Sequence, residues 1–214
     1  MAQGAVGDEG LAPHRARLMN LPRTSLTTAM ASVVSLAAQA IFSLVMLQFF
    51  GPKDVGEFSV VSQIAFFWIT LALAQSPLSL LADVHRPPGL ALRMALGASV
   101  LRLVVLMPLA WMAVNLAEIS PKPVVFGWVL ALAMLQLGWY LAHPFTLRTG
   151  SARSIAWVRA APPLVALVVA GAMGHRWPQV GGTGLLLAAV SGYAVGALWL
   201  LPARRKRADR AGVT

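Results

Sequence analysis

The sequence contains no cysteine, and only 7 of its 214 residues are acidic. The absence of cysteine excludes disulfides, thiolate catalysis and thiolate metal sites. Charged residues make up 11% of the chain, whereas a soluble domain usually contains about 25%. The four histidines are scattered without metal-ligand spacing, and the HExxH, GxSxG and P-loop motifs are missing. We therefore expect no enzymatic activity and no cofactor.

Long apolar runs dominate what is present. Hydrophobic residues make up 58% of the chain, and the mean hydropathy is +0.72. A helix needs about 20 apolar residues to cross a bilayer, and helices satisfy their own backbone polar groups in lipid. The sequence thus predicts an all-α integral membrane protein with a six-helix transmembrane bundle over residues 25–202. The predicted spans are Leu26–Phe50, Phe58–Ala82, Leu96–Ala117, Val124–Leu147, Ile155–Gly174 and Thr183–Leu201.

The basic residues indicate the orientation of these spans. Of the 17 lysines and arginines, 14 fall in the two tails and near the second and fourth connectors. Because cytoplasmic loops collect Lys and Arg, both termini are expected in the cytoplasm. Residues 1–24 have no apolar signal-peptide core and are expected to form a flexible cytoplasmic tail. Residues 203–214 form a basic cytoplasmic tail, in which Arg204–Arg207 is typical of a topology signal that touches anionic lipid. The charge is spread over four segments, so nucleic acid is not an expected partner.

Small residues recur at four-residue spacing along the sixth predicted span. Such a face lets another helix approach closely. Two alternatives follow: the face contacts a neighbouring helix of the same chain, or it forms the interface of a homo-oligomer or of a complex with another subunit. Tryptophans mostly lie near span ends, which is typical of interfacial anchors. The small residues are Gly184, Ala188, Gly192 and Gly196.

Three arginines and a histidine are candidate binding residues. Arg102 lies a few residues inside the third predicted span, so it can extend its charge to the head groups as an anchor. The alternative is that Arg102, with Arg148 and Arg159, faces a cavity open to the cytoplasm and binds a diphosphate through its planar fork. A polar cavity lined by Arg102 and His143 would indicate transport, whereas a closed apolar bundle would indicate a scaffold.

Two connectors carry a family resemblance. The segment GPKDVGEFS at residues 51–59 resembles the G-P-x-x-x-G-x-[FY]-S turn after the first helix of polysaccharide-biosynthesis flippases. These are the O-antigen and exopolysaccharide relatives in the MATE-like (MOP) superfamily. The segment PFTLRTG at residues 144–150 also resembles the cytoplasmic turn after that family's fourth helix. The family usually has a basic residue just before the Gly-Pro, a region that holds Gln48 in this chain.

The resemblance covers one N-terminal six-helix half of that family. It implies a half-sized flippase-like protein of the bacterial inner membrane, which moves or helps to move lipid-linked saccharide in envelope polysaccharide assembly. The implied partners are membrane lipids, a lipid-linked saccharide, and a second copy or other membrane subunits. The alternative is a non-transporting scaffold subunit of a polysaccharide synthesis or export complex. A small-metabolite transporter is a third, less favoured reading.

Overall fold

The computed structural model of the chain describes residues 12–83, 85–117 and 119–200, with side chains from residue 26 onward. Within these ranges the backbone forms eight α-helices and one short 3₁₀ turn, and contains no strand. The all-α prediction is confirmed for this part of the chain. The helices are α1 (Ala12–Phe49), α2 (Pro52–Leu73), α3 (Ser76–Ala82), α4 (Pro88–Val105), α5 (Met107–Leu116), α6 (Lys122–Thr149), α7 (Ala152–Arg176) and α8 (Gly182–Leu198).

Among the described helices, five are long and apolar enough to cross a membrane. They are α2, α4, α6, α7 and the Leu26–Phe49 part of α1. The helices α5 and α8 are apolar but shorter, with 10 and 17 residues. Several helices of this kind make the chain a multi-pass membrane protein.

The second and third predicted spans are each divided between two helices in the structure. Ala74 and Gln75 separate α2 from α3, and Ala74 has a left-handed backbone with a φ of +43°. Leu106 separates α4 from α5. Pro77 and Pro108 lie in the first turn after each break, where a missing N–H costs no helical hydrogen bond. Both prolines therefore begin a new helix.

Several helices begin earlier than their apolar runs. The helix α1 begins at Ala12, within the segment predicted as a flexible tail. The helices α2 and α4 begin at Pro52 and Pro88, several residues before the predicted spans. Proline is favoured in the first turn because its φ suits a helix and its lacking N–H is not needed there. Residues 1–11 and 201–214, which include the basic tail, lie outside the described residues.

The helices pack around α2 and α6. The helix α6 contacts α2, α4, α5 and α8, and the core between them contains the fully buried Trp68, Leu132 and Leu141. The helix α8 packs on α6 and α7. The helix α1 packs chiefly on α7 and contacts the following helix α2 only loosely. The first two helices therefore lie apart over much of their length.

The small-residue face of α8 lies against α6 and α7 of the same chain. Gly184, Ala188, Gly192 and Gly196 are all buried. A Cβ added at Gly192 would lie 2.6 Å from the carbonyl oxygen of Pro162, and one at Gly196 would meet the Trp139 ring. Of the two alternatives for this face, the structure places the four residues in contacts within the chain.

Side chains at the helix ends divide the connectors into two groups. The Asp54 carboxylate accepts a hydrogen bond from the backbone N–H of Gly182 at 2.9 Å, so the α1–α2 and α7–α8 connectors meet. The Arg148 guanidinium at the end of α6 donates to the carbonyl oxygen of Arg86, which joins it to the α3–α4 connector. The α1–α2 and α7–α8 connectors thus share one end of the bundle, and the α3–α4 connector meets the end of α6.

Candidate functional site

Arg102 lies at the break between α2 and α3. Its Nη1 donates to the carbonyl oxygens of Ala72 and Leu73 at 3.5 and 3.4 Å, and to Ser76 Oγ at 3.2 Å. The helix α2 ends at Leu73, so these carbonyls are short of helical donors. A cation at this position also complements the negative end of the helix dipole. Arg102 therefore stabilises the interrupted helix.

Arg102 is deeper in its helix than the sequence predicted. The helix α4 begins at Pro88, so Arg102 is 14 residues along it. At 1.5 Å per residue this is about 21 Å from the helix start. Arg102 is nevertheless exposed at the protein surface.

Arg148 connects α6 to α3. Its Nη1 donates to the carbonyl oxygen of Leu80 at 3.1 Å, and its Nη2 donates to the carbonyl oxygen of Arg86. Leu80 lies in the last turn of α3, where carbonyl groups again lack helical donors. Arg148 is therefore a cap of α3, as Arg102 is of α2.

Arg159 and His143 lie at contacts of α7. The Arg159 Nη1 donates to Ser32 Oγ of α1 at 2.7 Å. The His143 Nε2 lies 3.4 Å from the carbonyl oxygen of Val158, which joins α6 to α7. The four predicted binding residues do not form one site. His143 and Arg159 lie together where α6 meets α7, whereas Arg102 and Arg148 bond to the ends of α2 and α3.

A polar cleft of about 330 Å³ lies between α3 and α4. Arg102 is the predicted residue that lines it, and Arg86 lines it as well. The Arg86 Nε lies 3.2 Å from Asp83 Oδ2. The buried Ser99 donates from Oγ to Ser76 Oγ at 3.0 Å in the wall of the cleft. The polar lining residues are Gln75, Ser76, Ser79, Asp83, Arg86 and Arg102.

A second cleft of about 330 Å³ is bounded by α1, α2, α6, α7 and α8, and half of its lining residues are aromatic. The Trp139 ring lies 5.1 Å from the Tyr140 ring and 5.4 Å from the Tyr193 ring, between centroids. On the other side, Phe42 of α1 and Phe58 of α2 have ring centroids 6.1 Å apart. Because α1 and α2 contact each other only loosely, the cleft is half-open rather than enclosed. We call it the aromatic cleft.

The sequence predictions missed the aromatic cleft and Arg86. One signal was available for the cleft, since the chain has 2 tyrosines and both line it. A phenol inside a span has a polar tip that needs a partner, so tyrosines at depth indicate a cavity or a polar contact.

The prediction that tryptophans are interfacial anchors was wrong for Trp68. That residue is buried and donates its Nε1–H to the carbonyl oxygen of Leu103 at 3.1 Å.

The described residues include no group of three or more His, Asp or Glu side chains placed to hold a metal ion. No protein-family model matches the sequence, and no curated protein or solved structure matches the chain.

Proposed function

We propose that the chain is a half-sized, flippase-like protein of the bacterial inner membrane that handles a lipid-linked saccharide in envelope polysaccharide assembly. Six crossings with both termini in the cytoplasm are part of this proposal, with α2–α3 and α4–α5 each forming one interrupted crossing. The hydrogen bond between Asp54 and Gly182 supports it, because it joins the α1–α2 connector to the α7–α8 connector. In a six-span chain these are the first and fifth connectors, which lie on the same side of the membrane. The resemblance of residues 51–59 to the flippase turn is the reason for proposing this family.

The observation that carries the proposal is the half-open aromatic cleft. Its walls, which include Phe42, Phe58 and Phe66, suit the hydrocarbon chain of a lipid, while Gln39 and the two tyrosines add polar groups. The cleft lies between α1 and α2, which pack loosely, so a lipid can enter from the side. The half-sized chain would complete its pathway with a second copy or another subunit.

The chain contains no cysteine, so a cysteine pair tests the cleft directly. Phe42→Cys with Phe58→Cys, joined by a short bifunctional thiol reagent, would hold α1 against α2. In proteoliposomes that contain a fluorescent lipid-linked saccharide, cross-linking should stop translocation. A cross-linked Ser151→Cys with Ser154→Cys pair, at the start of α7, is the control. Translocation that proceeds equally in both cross-linked proteins would contradict the proposal.

The second candidate is a non-transporting scaffold subunit of a polysaccharide synthesis or export complex. The positions of Arg102 and Arg148 favour it, because both bond to carbonyl groups of interrupted or ending helices. A scaffold would leave the saccharide on its original side of the vesicle with or without cross-linking. It would also carry polysaccharide enzymes with it through purification.

A further inference from the structure

We infer that the polar cleft between α3 and α4 binds a phosphate group, with Arg102 at its deep end and Arg86 near the α3–α4 connector. The inference goes beyond the proposed function, because a phosphate of any anionic lipid satisfies it whether or not the chain moves a saccharide. It also concerns a different place from the aromatic cleft of α1, α2, α6, α7 and α8.

The first step is the unused capacity of Arg102. Its hydrogen bonds within the described residues all come from Nη1, which leaves Nε and Nη2 without a protein acceptor. Arg102 is about 21 Å along α4 and is exposed to the cleft. A guanidinium with unpaired donors within an apolar helix has water or an anion beside it. The cleft is the place where such a partner can lie.

The second step is the balance of donors and acceptors around the cleft. Arg86 uses Nε for Asp83 and Nη1 for the Met94 sulfur, at 3.2 and 3.4 Å, and its Nη2 has no acceptor in the described part of the chain. Ser76 Oγ accepts from both Ser99 and Arg102, so its own proton remains available to donate. The one carboxylate in the lining, Asp83, is already paired. The lining therefore offers more donors than acceptors and a net positive charge.

The third step is the chemistry of the ligand. An anion with several oxygens matches these donors, because Nε and Nη2 of Arg102 form a parallel pair for two oxygens of a phosphate and Nη2 of Arg86 adds a single further donor. The volume of about 330 Å³ leaves space for a head group as well as a phosphate. Ala98 in the wall of the cleft leaves this space open.

The test measures binding to the purified full-length chain in detergent, by titration with inorganic pyrophosphate and with a short-chain phosphatidylglycerol. The matching diacylglycerol is the phosphate-free control. Arg86→Gln, Arg102→Lys and Ala98→Leu should each weaken phosphate binding about tenfold, or about 1.4 kcal/mol. Arg102→Lys retains the charge but loses the fork, and Ala98→Leu fills the cleft without altering an arginine. Arg93→Gln, an exposed arginine of α4 that does not line the cleft, should bind like the wild type.

Binding of both probes would identify a site for free phosphate as well as lipid, and binding of the lipid alone would identify a head-group site; either result supports the inference. Equal binding of diacylglycerol and phosphatidylglycerol would overturn it. So would binding unchanged in Ala98→Leu and Arg86→Gln, or a loss in Arg93→Gln as large as in Arg86→Gln. A failure of translocation in the cross-linking experiment would leave these binding results unaffected, so the two proposals are tested separately.

Discussion

Trp139 donates its indole N–H to the carbonyl oxygen of Val158 at 3.0 Å. Val158 lies four residues before Pro162, which has no N–H to continue the helix at that point. The indole of α6 therefore donates where α7 lacks a backbone N–H, and the His143 Nε2 lies 3.4 Å from the same oxygen. The hydrogen bond from the indole explains how α7 continues from Ala152 to Arg176 through two prolines without an unpaired carbonyl at Val158.

Trp139→Phe should lower the free energy of unfolding by about 0.6–1.7 kcal/mol, the range found for hydrogen bonds between membrane helices. The loss should shrink when Pro162→Ala is also present, because the new N–H can bond to Val158 and make the indole dispensable. Unfolding in mixed micelles gives the free energy of unfolding of the wild type, of Trp139→Phe, of Pro162→Ala and of the double variant. Equal losses with and without Pro162→Ala would contradict this explanation.

Arg148→Leu should lower the free energy of unfolding by about 1–2 kcal/mol, since it leaves the carbonyls of Leu80 and Arg86 without their charged donor. Arg148→Lys should retain part of that energy but lose one of the two bonds. Arg153→Leu is the matched control, because Arg153 is an exposed arginine five residues further along the chain, at the start of α7. Unfolding in mixed micelles measures each variant. Similar losses of unfolding free energy in Arg148→Leu and Arg153→Leu would show that Arg148 is not a cap.

Gly192→Ala should be destabilising by about 1–3 kcal/mol, because the added Cβ would lie 2.6 Å from the Pro162 carbonyl oxygen and α7 must move. Gly171→Ala has open space around its added Cβ and should be neutral or stabilising by about 0.5–1 kcal/mol. The effect of Gly192→Ala should not depend on protein concentration, since the contact lies within one chain. A loss that disappears on concentrating the protein would indicate an interface between chains instead.

Reporter fusions should alternate between the two sides of the membrane along the chain. Fusions after Arg86 and Gly150 and at the C-terminus should report the cytoplasm. Fusions after Lys53, Lys122 and Gln179 should report the opposite side. The physical reason is the excess of basic residues near the first set of positions. A C-terminal reporter on the same side as the one after Lys53 would contradict six crossings.

The apolar runs were sufficient to predict an all-helical membrane protein, because about 20 consecutive apolar residues match the length of a helix that crosses a bilayer. They did not predict the breaks at Ala74 and Leu106. A proline in an apolar run kinks a helix, begins a new one or is tolerated, and the choice depends on whether a neighbouring side chain supplies the lost donor. Trp139 does so for Pro162, from a helix that is distant in sequence.

The candidate site was less predictable than the fold. The charge of Arg102 within an apolar run predicts a binding role, and Arg102 does line a polar cleft. Its expected companions, Arg148 and Arg159, bond elsewhere, because only the packing decides which helix ends lie beside one another. The position of Arg86 in a basic connector indicates only the orientation of the chain, although Arg86 shares the cleft with Arg102.

The docking of α1 on α7 has a consequence for the order of synthesis. Arg159 and Ser32, which join the two helices, are 127 residues apart in the chain. The helix α1 therefore leaves the ribosome and enters the bilayer long before its main neighbour exists. Its exposed leucines, including Leu36, Leu44 and Leu47, suit that interval, because lipid alone can solvate them. The helix α7 packs on α1, which is synthesised much earlier. A nascent chain that stops before α7 therefore holds an inserted but unpartnered α1.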